Sequence, residues 1–253
     1  MSRVGQAGQV GRVGQVGRVG QKGHKGANLP DLPDPPDPSD PPDLPGRSCW
    51  ESAERALAYL ARADALPHRA EGEAALLEHL PAAVSRVLDL GSGDGRLLGL
   101  VRLRHPDAEA VALDFSATML ERLRARFAGD PRVAVAAHDL ERPLPALGGF
   151  DAIVSSFAIH HLPHPRKRAL YEEVFAALRP GGAFLNLEHV ASPTPALHDA
   201  FLRTIGSTPA EEDPANKLLD VHTQLEWLRG IGFAEVDCHW KWRELALLAG
   251  RRS

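Results

Sequence analysis

The stretch Val87-Leu88-Asp89-Leu90-Gly91-Ser92-Gly93-Asp94-Gly95 joins an apolar run to a glycine-rich turn and then to a segment of helical character. Glycines there permit positive φ and let the backbone come close to a ligand, and the carboxyl end of a strand is where open α/β sheets bind ligands. Taken alone, this spacing fits a dinucleotide, an adenosyl sulfonium compound or a plain tight turn. Two further features narrow the chemistry. Ala110-Val111-Ala112-Leu113 ends in Asp114, so an acid sits at the tip of the neighbouring strand, able to accept hydrogen bonds from both ribose hydroxyls. Asp89 and Asp94 add two carboxylates beside the first helix, where they repel a pyrophosphate but suit an ammonium or sulfonium group. The other role open to Asp89 is that of a strand-end acid tied to backbone amides.

His160 and His161 are the candidates for taking a proton, because an imidazole is neutral near physiological pH. The competing assignment has one of them packing the loop and the other in solvent. Glu188 and His189, at the end of a later strand, rank below them. Trp240-Lys241-Trp242-Arg243 interleaves aromatic and basic side chains and could stack on bases, although an alternating strand would bury the tryptophans and expose the charges. Cys49 and Cys238 are far apart, which makes neither a disulfide framework nor a metal-ligand spacing, and no metal site is expected.

These residues need strands to carry them. Short apolar runs at Arg86 to Leu90, Glu109 to Asp114, Val133 to Ala137, Phe150 to Ser155 and Ala183 to Glu188 read as strands. Amphipathic stripes separate them: Leu97, Leu98 and Val101; Met119, Leu120, Leu123 and Phe127; Leu170, Val174, Phe175 and Leu178. This alternation predicts right-handed crossovers and a parallel sheet covered on both faces. After it, Phe233 to Trp242 and Leu245 to Ala249 follow each other so closely that they must pair antiparallel. Two helices are expected ahead of the first strand, one with Ala56, Leu57 and Leu60 and one with Ala74, Leu76 and Leu77.

The 253 residues suit one α/β domain with an appendage. Residues 1–46 are the appendage: a glycine recurs at every third position from Gly5 to Gly26, and an aspartate does so among prolines from Asp31 to Asp43. The triplets lack the proline of a collagen helix, so a disordered, dispensable tail is expected, and a short DNA repeat would explain both periodicities. No apolar run approaches the roughly 18 residues of a membrane span, and the start of the chain has no secretory pattern, which predicts a cytoplasmic protein. A formal charge of −4 argues against a duplex nucleic-acid partner and favours a small molecule.

From Ser85 to the C-terminus the chain resembles the class I, Rossmann-like S-adenosylmethionine-dependent methyltransferases. Val87 to Gly95 resembles their first motif, Asp114 their ribose-binding acid, and His138-Asp139-Leu140 the segment beside adenine; Phe150 to Ser155 and Leu178-Arg179-Pro180-Gly181-Gly182 resemble the fourth strand and the turn into the fifth. The resemblance implies a doubly wound α/β fold, a seven-stranded, mostly parallel sheet with an antiparallel C-terminal strand, spanning residues 47–253 with lid helices within 49–80. It implies S-adenosyl-L-methionine as cofactor, held by Asp89, Gly91, Ser92, Gly93, Asp94 and Gly95 at its aminoacyl part. Asp114 would bind ribose, Phe115 and Met119 would pack near adenine, Asp139 and Leu140 would bond its edge, and Ser155 and Ser156 would line the methionyl side. For Phe115 and Met119, ordinary core packing serves equally well. Methyl transfer is an in-line displacement, so positioning can carry it, and a base such as His160 or His161 is needed only if the acceptor loses a proton. Tyr59, His68 and Arg69 could close over the cofactor's carboxylate, with ordinary surface residues as the default assignment, and the helices before Arg86 with the insert from Ser192 to Asp220 would select the acceptor. The acceptor is expected to be a small molecule. A tRNA-directed enzyme, a non-catalytic binder of the cofactor and a nicotinamide-dependent oxidoreductase stay open as alternatives.

Overall fold

A computed structural model of the protein describes residues 65–253. The expectations for residues 1–46, for Tyr59 and for the helix around Ala56 to Leu60 lie outside that range. The first described helix is α1 (Arg69–His79), and β1 (Arg86–Leu90), α2 (Arg96–Arg104), β2 (Glu109–Asp114), α3 (Ala117–Arg126), β3 (Val133–Ala137) and β4 (Phe150–Ser156) follow. A single 3-10 turn, Ile159–His161, leads into α4 (His164–Ala177) and β5 (Leu178–His189). The chain ends with α5 (Pro195–Thr204), α6 (Val221–Ile231), β6 (Phe233–Trp242) and β7 (Leu245–Arg252).

The seven strands form one sheet in the order β3-β2-β1-β4-β5-β7-β6. The first five pair in parallel, and β7 runs antiparallel to both of its neighbours. This is the expected fold class. Side chains alternate between two buried faces: Val87 faces a core with Leu76 of α1, Leu98 of α2, Leu123 of α3 and Phe201 of α5, whereas Leu88 faces Leu170 of α4 and Leu228 of α6. A sheet buried on both faces explains why its strands read as continuous apolar runs.

Two boundaries differ from the sequence expectation. Leu178 leaves α4 to open β5, its N–H closing back on the Val174 carbonyl, because Pro180 cannot extend a helix. The Arg179-Pro180-Gly181-Gly182 stretch therefore belongs to the strand, and a Cβ on Gly182 would lie 2.9 Å from the Arg179 carbonyl and 3.0 Å from that of Phe150. The second difference is α5, which starts inside the insert; Pro195 sits in its first turn and the Thr194 hydroxyl accepts the Leu197 N–H.

The strand order reverses between β1 and β4. Leu90 pairs with Leu113 on one side and with Ser155 on the other, so the carboxyl ends of β1, β2 and β4 open into one crevice. Both neighbouring crossovers leave from this point in opposite directions, which creates the cleft that α/β proteins use for ligands.

Candidate active site

A cavity of about 330 Å³ fills that crevice. Its floor is the glycine turn. Gly91 (φ 66°) and Gly93 (φ 55°) both adopt left-handed backbone, for different reasons. A Cβ on Gly91 would stand 2.3 Å from the Ala158 Cβ, so this glycine lets the turn interlock with the segment after β4; a Cβ on Gly93 would meet nothing within 4 Å and would project into open space. Gly95 (φ 83°) does not line the cavity; it lets α2 pack on Leu123 of α3 and on Phe127, which follows that helix.

Three expected carboxylates reach the cavity in three different states. Asp89 is buried, neither of its carboxylate oxygens has a hydrogen-bond partner among the described residues, and burial pushes its carboxyl up to about 7, with the nearby Ser92 hydroxyl opposing and the Asp114 charge adding. The alternative of an acid tied to backbone amides does not describe it. Asp114 accepts the Gly93 N–H at 2.8 Å and the Ser116 N–H at 2.9 Å, which fixes the turn against β2; burial raises its pKa and those amides counter it. Each oxygen keeps a second lone pair for a ligand. Asp94 also lines the cavity, with its Oδ2 paired to Arg126 at 2.6 Å and its Oδ1 accepting the Arg96 N–H at 3.1 Å. Its charge is matched by α3 and the start of α2, so Asp89 is the carboxylate left to meet a cation.

Phe115, Met119, Asp139 and Leu140 line one end of the cavity together with Ser116 and His138. Phe115 is 42% exposed and Met119 is buried, so the first is a rim residue and the second a core residue with one side on the cavity. Asp139 accepts the Glu141 N–H at 2.9 Å, and Arg166 of α4 donates to the Leu140 carbonyl at 2.7 Å, which fixes this segment against the sheet. Ser92 and Ser156 also line the space, and the buried Ser156 hydroxyl has no partner. Ser155 is turned away and donates to the Leu90 carbonyl at 2.9 Å.

The two histidines separate. His161 lines the cavity, whereas His160 does not: it is 5% exposed, with its Nδ1 2.7 Å from Oε1 of the buried Glu188. Their rings lie 4.0 Å apart. Burial and the neighbouring His160 push His161 down to about 3, against the opposing pull of Asp213 and Glu188, and burial also holds His160 well below its ordinary range. His189 also stays off the cavity and points Nε2 at Glu244, 3.0 Å away.

Several lining residues were not legible in the sequence. Arg69 and Arg96 border the cavity and share the buried Glu73, whose Oε1 is 2.9 Å from the Arg69 Nε and 2.8 Å from that of Arg96; Arg69 was expected there, Arg96 and Glu73 were not. His68 lies elsewhere, stacked 4.4 Å from Trp242. Phe157 carries a left-handed φ of 53° and lies under the Arg69 guanidinium. Ala215 and Lys217 arrive from the insert. The Lys217 N–H donates to the His160 carbonyl at 2.8 Å, and its own carbonyl accepts the buried Lys167 ammonium at 2.9 Å. Among the described residues, no cluster of three or more His, Cys, Asp or Glu could hold a metal ion.

Comparison with known proteins agrees with this geometry. A family model described as a methyltransferase domain matches residues 87–182. The demethylmenaquinone methyltransferase of Clavibacter sepedonicus is 32% identical over 173 residues, 62% of this chain and 69% of that protein. The malonyl-[acyl-carrier protein] O-methyltransferase of Laribacter hongkongensis is 34% identical over 169 residues, 63% of this chain and 53% of that protein, so the chain spans only about half of its length. Among solved structures, an O-methyltransferase family protein from Burkholderia thailandensis aligns with a TM-score of 0.65 at 22% identity, over 82% of this chain and 62% of that one; this likeness is one of fold.

Proposed function

Since the chain belongs to the class I S-adenosylmethionine-dependent methyltransferases, we propose that it uses the described cavity to transfer the methyl group of S-adenosylmethionine to a small-molecule acceptor. The bound cofactor supplies an electrophilic methyl on a sulfonium; the chain's residues orient, exclude water and set charge. The observation that carries this reading is Asp89. A buried carboxylate with no partner is costly unless a cation completes it, and the α-ammonium of the cofactor has the charge and the donors to do so. Asp114 has lone pairs left for ribose hydroxyls, and Arg69 and Arg96, which together exceed the charge of Glu73 by one, suit a carboxylate. The donor set fits the cofactor.

In this reading Gly91, Ser92 and Gly93 hold the aminoacyl part. Phe115, Met119, Asp139 and Leu140 hold adenine, and Ser156 replaces Ser155 as the hydroxyl on the methionyl side. Asp94 and Gly95 act through the turn, one tied to Arg126 and the other packed on α3. A histidine with a pKa near 3 keeps a proton poorly, so His161 serves as a neutral hydrogen-bond partner that orients the acceptor, and the rate comes from alignment. His160 positions His161 by stacking. The two relatives differ in the acceptor in their names, demethylmenaquinone against malonyl-[acyl-carrier protein], so relatedness leaves the acceptor open. A small molecule is preferred to tRNA on the charge of −4, and the cytoplasm is preferred because the chain has only two cysteines. Residues 47–253 would form the catalytic unit and residues 1–46 a dispensable tail.

Calorimetric titration of the full chain with S-adenosylhomocysteine, beside NADH, tests the reading. Saturable binding of the first alone is expected. Asp114→Asn should weaken it roughly 10- to 100-fold, as loss of hydrogen bonds to a charged group does. Preference for NADH, or binding indifferent to position 114, would overturn it.

A further inference from the structure

We infer that Lys217 makes the acceptor end of the cavity a site for small molecules bearing a carboxylate, or an anion of similar size, on an apolar body. The inference rests on the methyltransferase reading above. Asp89, Asp114 and Asp139 line the cavity beside the glycine turn, while Leu162, Pro163 and Ala215 make an apolar wall next to the histidine turn, with Lys217 as its cation. Among the described residues no carboxylate pairs with that cation. Asp213, close in sequence, turns its Oδ1 back to the Ala215 N–H at 2.9 Å and does not line the cavity. The Lys217 ammonium contacts only backbone carbonyls among the described residues, those of Pro214, Ala215 and Asn216 at 3.2, 3.5 and 3.5 Å. Contacts this long orient the ammonium without neutralising it.

Its backbone is fixed with unusual care. The N–H is bonded to the His160 carbonyl, one residue from the histidine that lines the cavity, and the carbonyl is held by Lys167, whose side chain is completely buried. Burying an ammonium is expensive, and this one is directed at a single loop carbonyl. The result is a loop fixed against the histidine turn that carries the exposed Lys217 ammonium at the cavity's edge, where it would align an anionic acceptor, while Arg69 and Arg96, tied to Glu73, serve the cofactor's own carboxylate. A substrate recognised this way is discriminated against its neutral analogue, because the analogue leaves the cation without a counter-charge.

The test uses full-length protein saturated with S-adenosylhomocysteine and measures, by calorimetry, the binding of benzoate, cinnamate and hexanoate against benzamide, cinnamamide and hexanamide. At least one carboxylate should bind ten-fold or more tightly than its amide. Lys217→Gln should bring the pair to within two-fold while leaving S-adenosylhomocysteine affinity unchanged, and Lys217→Arg should keep the preference. If Lys217 only caps its turn, the Gln variant would weaken acid and amide alike. That result, equal binding of acids and amides, or no binding of any acid at 10 mM would overturn the inference. Failure of S-adenosylhomocysteine itself to bind would instead overturn the reading beneath it.

Discussion

The Nδ1 of His160 lies 2.7 Å from Oε1 of Glu188, and both side chains are buried. This pairing decides which of two adjacent histidines lines the cavity: one is held behind the wall and the other is left on it. Glu188 also accepts from Asn186 at 3.3 Å, and Asn186 donates at the same distance to the Tyr171 hydroxyl, so the pair belongs to a polar seam between β5 and α4. Removing one member strands the others. Glu188→Ala is expected to lower stability by about 2–4 kcal/mol in urea denaturation, because His160 and Asn186 lose a buried partner and a cavity opens. Its affinity for S-adenosylhomocysteine should stay within about three-fold, since Glu188 does not line the cavity; a larger change would mean that the seam shapes the cofactor end as well.

In the proposed site Asp89 is expected to set cofactor affinity against stability. Its carboxyl is raised from 3.8 to about 7, so the folded state holds the proton more tightly than the unfolded chain, and the stability that comes from this is present below pH 3.8 and lost as pH rises through 7. Asp89→Asn should therefore be more stable than the parent at pH 8, by a few kcal/mol at most, with the difference shrinking towards pH 5. Cofactor binding runs the other way, because the ammonium needs the ionised form. Affinity for S-adenosylhomocysteine should rise about ten-fold between pH 6 and 8 in the parent and stay flat in the variant. Titrations at those two pH values, beside urea melts, check both signs.

Gly91 and Gly93 separate packing from access. Gly91→Ala forces a methyl group to within 2.3 Å of the Ala158 Cβ at a φ of 66°, and the variant should lose several kcal/mol or fail to fold. Gly93→Ala meets nothing within 4 Å, so its cost is the backbone strain of roughly 1–2 kcal/mol, yet its methyl group occupies the ligand's path. A folded Gly93→Ala protein with S-adenosylhomocysteine affinity reduced at least 50-fold is the expected outcome. Unimpaired binding would place the ligand elsewhere.

The strands, their order of appearance and the place of the glycine turn on the cavity were legible because each depends on local pattern. Apolar runs buried on both faces, glycines at fixed offsets and an acid at the tip of β2 are signals carried by adjacent residues. What stayed hidden depends on contacts between distant segments. Asp94 looks like a ligand until Arg126, on another helix, reaches it; His160 and His161 are indistinguishable until Glu188 takes one of them; Lys217 has no motif at all. Its place follows from Lys167, fifty residues earlier, whose burial no periodicity announces. Ser155 and Ser156 show the limit most plainly, since alternation says that they face opposite ways but not which one faces the cavity.

His198 ties down the insert from Ser192 to Asp220 and should make it sensitive to pH. Its Nδ1 is 3.0 Å from Oε1 of the buried Glu244, and its Nε2 is 3.1 Å from Glu212, so one ring joins α5 to the β6–β7 turn and to the loop that ends at Lys217. Glu244 is held further by His189 and by the Ser192 hydroxyl; burial pushes its carboxyl up, but those three donors bring it below its ordinary value. Both ring nitrogens of His198 face carboxylates, which requires the doubly protonated form. Burial opposes that form, and the hydrogen bonds to Glu244 and Glu212 outweigh it, so the pKa is raised. A raised histidine contributes stability that is complete below its unfolded value of 6.5 and is lost as pH climbs through the folded value. His198→Gln should therefore cost about 1 kcal/mol at pH 6 and almost nothing at pH 9, the ring being partly exposed and its charges partly screened. Amide hydrogen exchange over residues 207–217, corrected for the intrinsic pH dependence, should show less protection at pH 9 than at pH 6 in the parent and equal protection in the variant. Equal protection in the parent would mean that the insert is held by α5 packing through Phe201 and Leu202 rather than by this charge.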